Sequence, residues 1–131
     1  MIHPLPDAIS RVRVAIRRRR EFLSVLNSNF VKAVLLKLLE QGYITSFNIL
    51  NFKKLLIFLK YIFGDTVITG IHNFYRPSAL IYLRLFYIHA AVMKSSISFF
   101  LNFFFSTPFG ILTDAECRML KTGGCLLLSI N

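Results

Sequence analysis

The sequence predicts an α+β protein made of two small lobes, an N-terminal α/β lobe at 1–65 and a C-terminal β-rich lobe at 66–131. Apolar residues recur at helical spacing in the first half, whereas short β-type runs separated by Gly and Pro dominate the second half. We expect two helices on a three-stranded sheet in the first lobe, and one short capped helix among the strands of the second.

The first predicted helix lies in the segment PDAISRVRVAIRRRREF, which begins with Pro6 and carries Asp7 in its first turn. The apolar residues of this segment share one helix face, and arginines take most of the other positions: Arg11, Arg13, Arg17, Arg18 and Arg20. An Arg-rich amphipathic N terminus is also typical of a mitochondrial targeting segment, although Asp7 and the prolines argue against that interpretation. The run from Arg17 to Arg20 fits either a solvated helix end or a clamp for phosphates.

The rest of the first lobe contains a strand, a second helix and two further strands. The second helix is capped by Asn27 or Ser28, and Gly42 ends it. The strands are predicted at 21–26, 43–50 and 53–62, with a tight connection near Asn51 and a turn at Gly64-Asp65.

In the second lobe, strands at 67–74 and 79–85 are interrupted by Arg76-Pro77-Ser78, because proline cannot occupy a central ladder position. A short helix is predicted at 87–93, with strands at 99–105 and 125–130.

The capped helix is predicted at 113–121. The Thr113 hydroxyl would accept a hydrogen bond from the amide three residues on, and the Glu116 carboxylate would reach back to the Thr113 amide. We expect Gly123 or Gly124 to take the left-handed C-cap. The preceding segment, 106–110, is predicted to be a constrained loop.

The composition combines strong basicity with high hydropathy. Sixteen Lys and Arg against six Asp and Glu give a net charge of +10, yet 55% of the residues are hydrophobic and fourteen are Phe. The charge predicts a polyanionic partner, either nucleic acid or an anionic membrane. The longest uncharged stretch, 95–113, is rich in polar residues, and its apolar part, 99–105, fits a buried strand. We therefore expect no membrane insertion, and the alternative function is a small basic membrane-associated protein held by the Phe-rich segment and the Arg-rich helix.

The sequence offers little for catalysis or metal binding. The two cysteines, Cys117 and Cys125, form no CxxC motif and the three histidines are scattered, so we expect inert thiols and no zinc site. No carboxylate pair, nucleophile motif or phosphate-binding glycine loop is present. We predict a protein that is not an enzyme, with no cofactor and no small-molecule substrate.

Several motifs occur in an order and spacing similar to those of one family. They are DAISRVRVA, LLKLLEQGYI, YRPSALIY, STPFGILTDAECR and GGCLLLSI, and together they span nearly the whole chain. The sequence resembles the bacterial-type small-subunit ribosomal protein eight family. This resemblance implies a two-lobed protein that binds ribosomal RNA of the central domain, helps organise the subunit platform and contacts neighbouring small-subunit proteins.

The resemblance also implies roles for particular residues. Ser106 and Thr107 would face a distorted RNA helix, whose minor groove small hydroxyl side chains can approach closely. The residues implied at the RNA interface are Arg11, Arg13, Arg17, Arg18, Arg76, Pro77, Ser106, Thr107, Gly110, Gly123 and Gly124. Without the resemblance, Ser106 and Thr107 fit an ordinary turn before a helix. The chain departs from the family pattern at Val14, Pro108 and Cys125.

The Phe-rich, apolar composition also bears on location. Such a composition is typical of AT-biased organelle genes, and we expect that no presequence precedes the family-like start. We expect a mitochondrial, organelle-encoded member of the family. The apolar excess further predicts additional protein neighbours and poor solubility of the isolated chain.

Overall fold

The computed structural model describes residues 3–87 and 102–131. The fold is α+β, as predicted, and the chain divides into two compact units, Met1–Gly70 and Ile71–Asn131. The N-terminal unit contains, in order, α1 (Pro4–Arg17), β1 (Phe22–Leu26), α2 (Asn29–Glu40), β2 (Ile44–Ile49), β3 (Lys54–Leu59), β4 (Tyr61–Ile62) and β5 (Asp65–Thr66).

Strands β1, β3 and β2 form an antiparallel sheet in that order, with α1 packed on β1 and α2 on β2. Strand β3 alternates between buried and half-buried positions, so that Leu55, Ile57 and Leu59 all lie in the core. The helices bury the apolar stripes that the sequence shows: Leu5, Ala8, Ile9, Val12, Ala15, Val31, Val34, Leu35 and Leu38. Each large apolar side chain buried in this way contributes about 1.5–3 kcal/mol.

Each helix of this unit is followed, at its C-terminal end, by a residue in the left-handed backbone conformation. As predicted, Gly42 ends α2, with φ of 80°, and the Tyr43 amide donates to the Leu38 carbonyl. At the end of α1, Arg19 has φ of 52° and the Arg20 amide donates to the Ala15 carbonyl. The arginine run therefore leaves the helix after Arg17.

The strand predicted at 53–62 is two strands in the structure. Strand β3 ends at Leu59, and β4 then pairs with β5 in a separate hairpin. Its turn residues are Phe63 and Gly64, with φ of 52° and 81°. The turn predicted at Gly64-Asp65 is thus shifted by one residue, because Asp65 already belongs to β5.

The C-terminal unit contains β6 (Ile71–Asn73), β7 (Tyr82–Leu83), β8 (Asn102–Thr107), β9 (Gly110–Thr113), α3 (Asp114–Leu120) and β10 (Gly124–Ile130). Its sheet has the order β6-β10-β8-β9, with β7 also pairing with β10. Strand β10 lies at the centre, and every residue from Cys125 to Ile130 is buried. It supplies five of the ten buried apolar residues that the structure describes in this unit.

The predicted strands at 67–74 and 79–85 are shorter in the structure, where they become β6 and β7. Both pair with the same edge of β10, on the side away from β8. The turn at Arg76-Pro77 links these two pairings, so the proline lies outside the ladder as predicted. Most of the helix predicted at 87–93 lies outside the described residues, as do positions 99–101 of the strand predicted at 99–105. The described part of that strand belongs to β8, which continues to Thr107.

Within residues 3–87 and 102–131, no helix has the length and apolar character that crossing a membrane requires.

Candidate nucleic-acid interface

The segment predicted as a constrained loop is a tight β-hairpin. Ser106 and Thr107 belong to β8, Pro108 and Phe109 form the turn, and β9 begins at Gly110. The loop prediction was wrong because the turn residues occupy only the tip, and their neighbours on both sides pair in the ladder. Gly110 has φ of 109°, a conformation that side chains rarely adopt, so glycine is required at this position.

The Thr107 hydroxyl stabilises this turn from within. It donates to the Gly110 carbonyl at 2.8 Å and accepts from the Phe109 amide at 3.2 Å. Because the hydroxyl already has these partners, its main effect is to fix the conformation of the hairpin tip. Thr107 is therefore a positioning residue in this geometry.

Ser106 has a different environment. It is half-buried in β8, paired with Cys125 on one side and with Ile111 on the other. Its backbone is held in both ladders, while its hydroxyl makes no hydrogen bond to any other described residue. The two ladders thus fix the Ser106 backbone, while no described residue occupies its hydroxyl.

The two glycines before Cys125 allow a close approach of backbone segments. A Cβ on Gly124 would lie 2.7 Å from the Ser106 carbonyl oxygen and 2.8 Å from Thr107 Cγ2. A Cβ on Gly123 would lie 2.5 Å from the Leu83 carbonyl oxygen. A side chain at Gly124 would push the hairpin away from β10, and a side chain at Gly123 would push away the backbone at Leu83.

The prediction that Gly123 or Gly124 takes the left-handed C-cap of the last helix was wrong. Lys121 has that conformation, with φ of 53° and ψ of 47°, and the Thr122 amide donates to the Cys117 carbonyl. A lysine can take the position at modest cost because only a single residue is strained. The glycines are instead required by close packing.

A groove of about 500 Å³ runs beside the hairpin, lined by Tyr82, Leu83, Arg84, Leu85, Ser106, Pro108, Gly123 and Gly124. Tyr82 is 71% exposed, and Arg84 is also exposed. Neither residue was predicted from the sequence to lie at this surface. The sequence signal that could have identified them is the triplet Tyr-Leu-Arg after the proline turn, because an aromatic residue next to a basic one is typical of nucleic-acid-binding surfaces.

Helix α3 follows β9 without a linker and is capped by Thr113, as predicted. The buried Thr113 hydroxyl oxygen accepts from the Glu116 amide at 3.4 Å and lies 3.5 Å from Glu116 Oε1. The cap therefore fixes the start of α3 at the end of the same hairpin that carries Ser106.

The two thiols, Cys117 and Cys125, lie in the same unit and are free and buried. Burial, reinforced by the charges of Asp114 and Glu116, raises the pKa of Cys117 to about 11. Burial also raises the pKa of Cys125, although a backbone hydrogen bond at Ile81 opposes the shift. Both thiols stay protonated at neutral pH, which makes them poor nucleophiles and poor metal ligands. The described ranges contain no cluster of three or more His, Cys, Asp or Glu side chains able to hold a metal ion.

Arg76 and Pro77 lie in an exposed turn of the same unit, closed by a hydrogen bond from the Ala79 amide to the Arg76 carbonyl at 2.9 Å. Neither residue lines the groove. The structure thus brings together Ser106, Thr107, Gly110, Gly123 and Gly124, but leaves Arg76 and Pro77 on a separate turn.

The four arginines predicted in the N-terminal unit differ in their surroundings. Arg11 forms an ion pair with Asp7 at 2.9 Å and donates to the Ser24 carbonyl at 3.4 Å. Arg13 is half-buried, whereas Arg17 and Arg18 are exposed at the end of α1. The charge of Arg11 is therefore partly compensated, and the more accessible positive charge lies at Arg17 and Arg18.

Comparison with known proteins identifies the family. The family model described as Ribosomal protein S8 matches residues 3–131. The chain is 35% identical over 127 residues to the small ribosomal subunit protein uS8m of Acanthamoeba castellanii, covering 97% of this chain and 98% of that one. It is 35% identical over 126 residues to uS8 of Dichelobacter nodosus (strain VCS1703A), covering 95% and 94%. It is 28% identical over 131 residues to uS8 of Mycoplasmopsis synoviae (strain 53), covering 97% and 96%. The resemblance is thereby confirmed: the chain belongs to the ribosomal protein S8 family, whose members are structural, non-enzymatic components of the small ribosomal subunit.

Proposed function

We propose that this chain binds the small-subunit ribosomal RNA directly, in the central domain, and helps organise the subunit platform. The observation that best supports this proposal is the close packing of the β8–β9 hairpin against Gly124. A Cβ added at Gly124 would lie 2.7 Å from the Ser106 carbonyl oxygen. This packing holds a hydroxyl that has no partner among the described residues beside an open groove of about 500 Å³.

The chemistry of this surface suits the minor groove of RNA. That groove is wide and shallow and presents 2′-hydroxyls and base edges, which a small fixed hydroxyl can reach. Tyr82 and Arg84, on the other side of the protein groove, supply an aromatic face and a positive charge. Shape and hydrogen bonding would determine position, while the arginine would contact phosphate.

The exposed arginines of α1 would supply a second, electrostatic contact. Arg17 and Arg18 are the better candidates for phosphate binding, because Arg11 is already paired with Asp7. Such contacts add affinity with little sequence specificity, and they weaken as salt increases.

Two departures from the family pattern affect the groove differently. Pro108 lines it but offers no backbone amide, which removes one possible donor to RNA. The Cys125 side chain is buried, so it would not contact the ligand. Ser106 would therefore carry a larger share of the hydrogen bonding at this surface.

We also propose a mitochondrial location, with other small-subunit proteins as neighbours. The support is the Phe-rich composition together with the similarity to the uS8m protein of Acanthamoeba castellanii. The exposed Phe, Leu and Ile side chains give protein neighbours an apolar surface to contact.

The test is sedimentation of detergent-solubilised mitochondria through a sucrose gradient containing magnesium, with the chain followed by mass spectrometry. We expect it to sediment with the small subunit in moderate salt and to leave that fraction after RNase treatment. Recovery in detergent micelles at the top of the gradient would contradict the proposal and would favour the membrane-associated alternative.

A further inference from the structure

The hairpin that joins β2 to β3 ends in an exposed aromatic ring. Its tip, defined as residues 50–54, carries Phe52, whose side chain is 82% exposed. A phenylalanine placed this far into solvent contributes little to the core of its own unit. The residues around Phe52 indicate which kind of partner the ring could bind.

The backbone beneath the ring is firmly held. The Asn51 side-chain oxygen accepts from the amides of Lys53 at 2.8 Å and Lys54 at 2.9 Å. Asn27 clamps the tip from the other side: its side-chain nitrogen donates to the Phe52 carbonyl at 3.1 Å, and its amide to the Lys53 carbonyl at 2.8 Å. The ring thus projects from a fixed base, which lowers the entropy cost of stacking it against a partner.

The tip is also strongly cationic. Lys53 Nζ lies 5.4 Å from the centroid of the Phe52 ring, and both Lys53 and Lys54 are exposed. Between residues 41 and 64 the sequence has three lysines and no Asp or Glu. No carboxylate in this stretch compensates the two charges next to the ring.

An exposed aromatic ring on a fixed backbone, with two cations beside it, complements an unpaired nucleotide, in which a flat base lies between two phosphates. An apolar pocket on a protein would use the ring but would have to desolvate or compensate the two ammonium groups. Charge complementarity therefore favours RNA over protein at this tip.

We infer that the β2–β3 tip binds an unpaired RNA nucleotide, with the Phe52 ring stacked on the base and Lys53 and Lys54 contacting the flanking phosphates. The inference rests on the proposed RNA-binding function. It adds a contact made by the N-terminal unit, distinct in residues and chemistry from the Ser106 groove.

Phe63 provides a matched control within the same unit. It is fully exposed, at 101%, in the turn between β4 and β5. Its sequence neighbours include Asp65 and no lysine closer than Lys60. If exposure alone caused stacking, Phe63 and Phe52 would behave alike, whereas a role for the lysines predicts that they differ.

The first test is ultraviolet crosslinking at 254 nm of isolated small subunits, followed by trypsin digestion and mass spectrometry. We expect a nucleotide adduct on Phe52, in the peptide spanning residues 38–53. Adducts elsewhere on the chain, with none on this peptide, would overturn the inference and leave the proposed function standing. A chain with no RNA adduct at all would count against both. An amine crosslink from Lys53 or Lys54 to another protein, without a nucleotide adduct at Phe52, would show that protein occupies the tip and would also overturn the inference.

The second test measures the affinity of the full chain for small-subunit RNA transcribed in vitro. We expect F52A to bind roughly tenfold more weakly, F52W to bind like the unaltered chain, and F63A to show no change. Circular dichroism would verify that each variant is folded. Equal losses in F52A and F63A, or no loss in F52A, would refute the stacking contact.

Discussion

The two units of this protein build their candidate RNA-binding surfaces by different means. In the N-terminal unit, helices cover a sheet with buried Leu, Ile and Val, and charges such as Arg17 and Arg18 lie outside this core. In the C-terminal unit, the surface itself depends on contacts at Gly123 and Gly124 that leave no room for a Cβ. We therefore expect the N-terminal surface to keep its fold when a single charged residue is substituted. The C-terminal surface should instead be disrupted by a substitution at either glycine.

The helices show the same contrast. Helix α2 has twelve residues and an apolar face in the core, and Ser28 at its N-cap makes no side-chain capping hydrogen bond. Helix α3 has seven residues and is capped by the Thr113 hydroxyl. A helix this short is marginal by itself, so the cap matters more in the C-terminal unit.

The largest effect should come from Gly124→Ala. The added methyl would meet the Ser106 carbonyl and Thr107 Cγ2 at under 3 Å, so β8 or β10 must shift. We expect a loss of about 3 kcal/mol in the free energy of unfolding, together with loss of RNA binding. Urea unfolding and a binding assay would measure the two effects.

Gly64→Ala is the matched control in the N-terminal unit. A Cβ at Gly64 would have no neighbouring atom within 4 Å, but the φ of +81° strains any side chain there. We expect a loss of about 1–2 kcal/mol in the free energy of unfolding, with RNA binding retained. If both glycine variants lost the same stability and both kept binding, close packing at Gly124 would not matter as we propose.

The next largest effect is a decrease in the free energy of unfolding at alkaline pH. It originates in the C-terminal unit, where both cysteines lie. The fold raises the pKa of Cys117 from 9.0 to about 11, so it favours the protonated thiol. This stabilisation is complete below pH 9, and is lost as pH rises towards 11, because the unfolded chain ionises first.

Urea unfolding of the chain and of Cys117→Ala at several pH values between 8 and 11 measures this effect. We expect the free energy of unfolding to fall more steeply with pH in the unaltered chain. Lysine and tyrosine ionisation affects both proteins alike, so parallel curves would show that the Cys117 thiol is not responsible.

The smallest expected effect is the difference in stability loss between variants at the N-caps of α3 and α2. Thr113→Ala removes the acceptor for the Glu116 amide, and we expect it to cost about 1 kcal/mol. Ser28→Ala removes a side chain that makes no capping bond, so roughly a few tenths of a kcal/mol is expected. Thermal unfolding of both variants would test this difference, and a larger loss for Ser28→Ala would reverse it.

The parts of the fold that the sequence predicted are those with a strong local signal. The second helix was predicted from its apolar stripe and from Gly42, and the last helix from Thr113 and Glu116. These signals work because propensity, capping and burial agree within a dozen residues.

The errors occurred where the same residue type can serve two structural purposes. Either Gly123 or Gly124 was predicted to take a left-handed cap, whereas the two glycines allow the close approach of Leu83 and Ser106, a tertiary contact that local sequence does not encode. The turn residues near Pro108 indicated a break in the strand but not the pairing of Thr107 with Gly110 around it. Tyr82 and Arg84 were missed for a similar reason, since only the fold places them beside Ser106.

The contrast between the two units is tested most directly by the salt dependence of RNA binding in two variants, Ser106→Ala and the double variant Arg17→Gln with Arg18→Gln. We expect Ser106→Ala to weaken binding by roughly three- to tenfold at every salt concentration, because it removes one hydrogen bond and no charge. The double arginine variant should instead lower the slope of log affinity against log salt by about one for each arginine that contacts phosphate. Parallel lines for Ser106→Ala and a reduced slope for the arginine variant would support one shape-dependent and one charge-dependent contact. A Ser106→Ala line that coincides with that of the unaltered chain would contradict the proposed role of the hairpin.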